Sequence, residues 1–290
     1  MSHGIKKFFR GISYPFVAAS LGLRLSSAKG KYRRYKADPT SISIEKRYAY
    51  VYGLVKRATY LHGCEIYASG FNNCPTVPAL YIVNHKSYLD GLLIFKLMWE
   101  NGNIPYFRII AKAELDEGKL SSVMHLIDSI LINRKNIRDT ATLFRDEIKP
   151  TLDKKSFVIF PEGTRIYNNE ELGEFKPGSF KIALDHFIPI VPVVIYGSSG
   201  VGFKEPKQYL NKNRQIFVSF LPPIKATHFM TAHATSVAEH VKAVMTQEYT
   251  RIHNIVKSQK KQYVKNPHRV FEAIDKILYE TILRTIAIYP

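Results

Sequence analysis

The chain has 290 residues, 46% of them hydrophobic, enough for a sizeable core and too many for wholesale disorder. Two cysteines, Cys64 and Cys74, exclude a disulfide-stapled fold and a Cys-rich zinc module. The formal charge of +18 is unevenly spread: residues 1–60 carry +11 and residues 251–290 carry +5, leaving +2 for 61–250.

The basic N-terminal end comes first in chain order. Lys6, Lys7, Arg10 and Arg24 are mixed with Phe8, Phe9, Tyr14, Phe16, Val17, Leu21, Leu23 and Leu25. The 13 uncharged residues between Arg10 and Arg24 would cover roughly 20 Å as a helix, short of a hydrocarbon core of about 30 Å, and Pro15 is expected to interrupt them. The segment therefore reads as an interfacial anchor on an anionic membrane, backed by Lys29, Lys31, Arg33, Arg34 and Lys36. A buried core helix and a signal peptide cleaved near Ser26 and Ala28 are the other readings. Nucleic acid is not the expected partner, because the excess charge sits at the ends and no strand interleaves aromatics as an RNA-binding sheet does.

Beyond residue 60, short apolar runs alternate with helical patterns. Strands are expected at 65–68, 80–83, 107–111, 127–132, 157–160, 191–196 and 216–220. A helix is expected over 87–98, directly after the second strand. Ile137, Ala141, Phe144, Ile148 and Leu152 mark one face of another, which Pro150 limits. Val237, Val241, Val244, Tyr249, Ile252 and Ile255 mark a third, and Phe271, Ile274, Leu278 and Ile282 a fourth. The alternation predicts an α/β fold with a mostly parallel central sheet flanked by helices. Three regions are expected: a basic helical membrane-anchoring region at 1–60, an α/β domain at 61–225, and a C-terminal helical segment at 226–290 that packs on it.

Polar residues gather where strands end, which is where open α/β sheets bind ligands. His85 follows the second strand and Asp90 lies in the first turn of the next helix. A histidine oriented by a carboxylate one turn away has the layout of a general base. Ser87-x-x-Asp90 also reads as a capping box with Asp in place of Glu, in which Asp90 serves only the helix. The second cluster is Pro161-Glu162-Gly163-Thr164-Arg165: Gly163 permits close approach of a ligand, Arg165 offers a planar fork for phosphate, and Glu162 is placed to orient it or to accept hydroxyl hydrogen bonds. A polar turn with a surface ion pair is the alternative. Asn133-Arg134-Lys135 ends a third strand and either binds an anion or starts a helix. Gly197-Ser198-Ser199-Gly200 does not complete a nucleophile elbow, and no metal-ligand spacing is present.

His85-x-x-x-x-Asp90 and Phe160-Pro-Glu-Gly-Thr-Arg165 resemble the two signature motifs of the glycerolipid acyltransferases, the group that contains 1-acylglycerol-3-phosphate acyltransferase. Further similar blocks follow in the family's order: Lys112-Ala-Glu114-Leu115, Ile130-Leu-Ile-Asn-Arg134, Phe175-Lys-Pro-Gly178 with Ala183, and Ile188-Pro-Ile-Val-Pro192. The likeness covers about residues 65–220. It departs at Asp128, Leu131 and Asn133, where the family often has glycine, phenylalanine and aspartate.

The resemblance implies transfer of an acyl group from a thioester to the hydroxyl of lysophosphatidic acid, giving phosphatidic acid. His85 is then the general base and Asp90 its partner. Arg165, with Arg134 and Lys176, is expected to hold the phosphate, in a site ordered by Glu162 with Gly163 and Thr164. Main-chain N–H groups near Ser87 are candidates for the oxyanion. No cofactor or metal is implied; acyl-CoA or acyl carrier protein is the co-substrate, and a lysophospholipid the acceptor. Because acyl thioesters are made in the cytosol, the enzyme is expected on the cytoplasmic face of a membrane, held peripherally or monotopically by its N-terminal segment. The alternatives are another lysophospholipid as acceptor, or a non-catalytic lipid-binding member of the family.

Overall fold

The computed structural model describes residues 3–102, 104, 106–118, 120–132, 144–168, 170–201 and 214–258. In chain order these form α1 (His3–Ala37), α2 (Ile44–His62), β1 (Glu65–Ser69), β2 (Leu80–Val83), α3 (Asp90–Asn101), β3 (Phe107–Lys112), α4 (Ser121–Leu126), β4 (Ile130–Ile132), β5 (Ser156–Ile159), α5 (Lys181–His186), β6 (Ile190–Tyr196), β7 (Gln215–Phe220) and α6 (Ala234–Ser258). Every strand pairing within the two units described below is parallel except that of β6 with β7, so the expected mostly parallel, helix-flanked α/β fold is met. The chain divides into two compact units, Met1–Cys64 with Gly91–Ile159, and Glu65–Asp90 with Phe160–Pro290.

In the first unit the strands run β5-β3-β4, in register Arg108↔Phe157 and Ala111↔Leu131. Ser43 caps α2 by accepting the Lys46 N–H, and Glu45 complements the positive end of the helix. Tyr48, Val51, Leu54, Val55 and Ala58 recur at helical spacing and are buried, which seats α2 in the core. Tyr48 packs against Phe95, Trp99, Tyr106 and Phe107, and its hydroxyl donates to the Phe107 carbonyl at 2.6 Å. Helix α1 runs unbroken through Pro15, contrary to expectation. It leaves Ile12, Tyr14, Phe16 and Leu23 exposed, the last two at 75%. Among the described residues, no helix is long and apolar enough to cross a membrane.

The expected strand at 127–132 shrinks to β4. Asp128 adopts a left-handed φ of 52°, which no strand tolerates, and the chain straightens only after it. Of the expected helix around 137–152, residues 137–143 lie outside the described residues; 144–148 form a π-turn and Lys149–Thr151 a 3-10 turn.

In the second unit the order is β1-β7-β6-β2. Strands β2, β6 and β7 are buried along their whole length, as expected of strands covered on both faces. Helix α6 packs on β6 through a stripe of Val237, Val241, Met245, Tyr249 and Ile252. The helix expected around 271–282 lies outside the described residues.

Candidate active site

Strand β2 ends at Val83, and the next residue takes over its ladder with a side chain. The Asn84 amide donates to the Ile195 carbonyl at 2.9 Å and accepts the Ile195 N–H at 2.7 Å, fastening the strand end to β6. The main chain is thereby free to turn at His85. That turn is gripped from the 160–173 segment: the Glu162 carboxylate accepts the His85 N–H at 3.0 Å, and the Ile166 N–H donates to the His85 carbonyl at 2.9 Å.

His85 Nδ1 lies 3.0 Å from Asp90 Oδ2. The same carboxylate oxygen accepts the N–H groups of Lys86 at 2.6 Å and Ser87 at 2.7 Å. Asp90 therefore does both things its spacing suggested, organising the turn before α3 and orienting the imidazole. Helix α3 starts at Asp90, three residues later than expected, because Asp90 holds those two N–H groups in a turn. The same two bonds occupy the Lys86 and Ser87 N–H groups that were candidates for the oxyanion. The Asp90 side chain is wholly buried, whereas that of His85 keeps 21% of its surface and packs one face against Phe160.

Glu162 is buried, with one oxygen on His85 N–H and the other accepting the Gly173 N–H at 3.0 Å. Burial raises its pKa, opposed by these two N–H groups and by the charges of Lys86 and His85. A Cβ at position 173 would lie 2.7 Å from Ile166 Cγ1, so only glycine lets the loop close on Glu162. Glu162 thus orders the His85 turn; of the two roles expected of it, orienting Arg165 or accepting hydroxyl hydrogen bonds, the first falls to other residues. Two tyrosines take that role. The Arg165 guanidinium stacks 3.4 Å from the Tyr88 ring centroid, and its Nε donates to the Tyr167 hydroxyl at 2.9 Å. Gly163 turns the chain with φ 69°, Thr164 is exposed, and Lys176 joins by its main chain, its N–H donating to the Pro161 carbonyl at 3.0 Å with the side chain exposed. Arg134 lies outside the described residues. Ser199 donates its hydroxyl to the Tyr167 carbonyl, a structural tie.

Lys86 falls within the His85-x-x-x-x-Asp90 spacing, and the sequence reading assigned it no role. Its side chain is wholly buried, its Nζ donates to the Glu171 carbonyl, and it lies 5.2 Å from the Tyr249 ring centroid on α6. Burial lowers its pKa to about 8, against the pull of Glu162, Asp90 and Glu171. A lysine set between the histidine and the serine of the turn was the available signal. The clasp of Asn84 and the tyrosines around Arg165 left none, since they depend on folding. Among the described residues, no cluster of histidine, cysteine and carboxylate side chains is arranged to hold a metal ion.

Known proteins resemble this chain over most of its length. A family profile described as acyltransferase matches residues 65–196, which include both the His85 turn and the Glu162–Arg165 turn. The chain is 32% identical over 252 residues to a probable 1-acyl-sn-glycerol-3-phosphate acyltransferase of Mycoplasma pneumoniae, covering 84% of this chain and 94% of that protein. It is 28% identical over 202 residues to the mouse 1-acyl-sn-glycerol-3-phosphate acyltransferase alpha, covering 69% and 68%. Among solved structures, the 1-acyl-sn-glycerophosphate acyltransferase PlsC of Thermotoga maritima shares the fold, with a TM-score of 0.61 at 19% identity, over 87% of this chain and 98% of that one. The chain belongs to the glycerolipid acyltransferase family.

Proposed function

We propose that this protein is a 1-acylglycerol-3-phosphate acyltransferase, which moves a fatty acyl group from a thioester to the free hydroxyl of lysophosphatidic acid and so makes phosphatidic acid. The observation that carries the reading is the partly exposed His85 ring with its Nδ1 on the buried Asp90 carboxylate. That bond leaves Nε2 to take the proton of the acceptor hydroxyl as its oxygen attacks the thioester carbonyl. Asp90 stabilises the imidazolium so formed. When the tetrahedral intermediate collapses, the C–S bond breaks and the departing thiolate takes the proton from Nε2, returning His85 to its starting state. No covalent intermediate on the enzyme is needed.

Arg165 meets the acceptor phosphate with its terminal nitrogens, since its Nε is engaged by Tyr167. Gly163, Thr164, Lys176 and Arg134 complete the acceptor site in this reading. The donor is acyl-CoA or acyl carrier protein; both are anionic. The exposed apolar residues of α1, followed by its basic C-terminal half, rest the protein on an anionic membrane at the cytoplasmic face, where acceptor and product both reside.

Purified full-length protein given lysophosphatidic acid in anionic vesicles, with each donor in turn, should form phosphatidic acid. His85→Ala should lower turnover by about 10²–10⁴ without loss of fold. Full turnover in that variant would remove His85 from the mechanism, and product from other lysolipids alone would reassign the acceptor. In vesicle flotation, Phe16→Glu with Leu23→Glu should release the protein; undiminished flotation would place the membrane contact elsewhere.

A further inference from the structure

We propose that Lys86 is a positioning residue of this site: its buried ammonium ties the 160–173 segment to the histidine turn and holds the surrounding carboxylates in the form that orients a neutral His85. The proposal rests on His85 and Asp90 acting as the base and its partner.

A lysine with no exposed surface requires a reason, because the ammonium gives up its water. Here its main-chain N–H donates to Asp90 Oδ2, and its Nζ reaches the Glu171 carbonyl, two residues before the Gly173 that closes on Glu162. The groups facing it come from three elements. Its own turn supplies Asp90, the 160–173 segment supplies Glu162 and Glu171, and α6 supplies the Tyr249 ring. Asp90 Oδ1 is buried with no hydrogen-bond partner, so half of that carboxylate depends on nearby positive charge. A donor for the Glu171 carbonyl need not be charged; the nearby carboxylates of Glu162, Asp90 and Glu171 are what favour the charge. The depressed lysine pKa agrees with this placement, since burial opposes the ammonium and the carboxylates retain it.

The test removes the charge and keeps the donor. In full-length protein, Lys86→Gln should raise the His85 titration midpoint, read by NMR of its imidazole, by about one pH unit, because an imidazolium forms more readily once a neighbouring cation is gone. The acid limb of the kcat/KM profile for phosphatidic acid formation should move upward by the same amount, with kcat at neutral pH reduced and the acceptor KM unchanged. Lys86→Met fills the space without a donor and should move the limb equally. If limb and midpoint stay in place in both variants, the proposal is overturned, whether or not the melting temperature falls, because a merely structural lysine changes stability alone. Should the parent protein form no phosphatidic acid, the functional reading fails, and the NMR midpoint still decides the role of Lys86.

Discussion

Asp128 in the unit built around β3 and Glu162 in the unit built around β6 are two carboxylates withdrawn from water, and they are compensated differently. Asp128 receives Arg47 at 2.8 and 3.1 Å, Lys155 at 3.0 Å and the Tyr35 hydroxyl at 3.0 Å, while Arg108 donates to its main-chain carbonyl at 2.7 Å. Burial pushes its pKa up, but Arg47 and Lys155 outweigh that and hold it below the usual aspartate range. Glu162 is met by two main-chain N–H groups, and burial leaves its pKa raised. The first carboxylate neutralises cations that would otherwise be stranded, so it belongs to the architecture. The second sits one hydrogen bond from the main chain of a residue whose imidazole is partly exposed, and its burial is only partly compensated.

The largest effect that tests this contrast is on stability. Asp128→Ala should destabilise the protein by about 3–5 kcal/mol, because it strands the buried Arg47 guanidinium together with Lys155. Acyl transfer per folded molecule should not change; denaturant unfolding and an activity assay on the folded fraction check the two halves. If transfer falls with stability preserved, Asp128 belongs to the substrate site and the contrast is wrong. Asp128→Gly should be milder than the alanine variant by about 1 kcal/mol, since glycine accepts the left-handed φ at 128 without strain.

That φ also shows where the sequence was legible. The family's frequent glycine at this position was visible as a departure in this chain, but its cause was not: a backbone conformation, kept here by an aspartate whose side-chain partners come from α1, from α2 and from the residue before β5. The strand ends and the five-residue step from His85 to Asp90 could be read from periodicity and spacing. What could not be read are contacts made by residues distant in sequence. Asn84 clasping Ile195, Tyr88 under Arg165 and Glu162 on the His85 main chain have no local pattern. Pro15 was a strong local signal that misled. Its missing N–H removes one helical hydrogen bond, and α1 continues through it, packed against α2 and α4.

The next effect is a matter of pH. The stability Asp128 contributes is fully present above the ordinary aspartate pKa of about 4 and is lost as pH falls through its depressed folded value. Glu162 has the opposite sign. Its raised folded pKa favours the native state in acid, and that advantage is lost as pH rises through the folded value. The stability gap between the parent protein and Asp128→Ala should therefore narrow when urea midpoints are followed from neutral pH into acid below 4. A gap that holds constant would mean that Asp128 is not titrating against its cations.

The smallest effect concerns the support under Arg165. A guanidinium stacked on an exposed tyrosine is attracted by about 0.5–1 kcal/mol, so Tyr88→Ala should raise the acceptor KM by roughly two- to fivefold. Turnover at saturating acceptor should stay as it was, because the ring acts through Arg165, which meets the acceptor and not the reacting hydroxyl. Phenylalanine at 88 keeps the ring face and should restore the parent KM, which separates stacking from any work of the hydroxyl. If alanine lowers kcat as well, the ring positions the reacting hydroxyl and not only the phosphate, and the phosphate grip and the base would then act as one unit around Ile166, whose N–H already holds the His85 carbonyl.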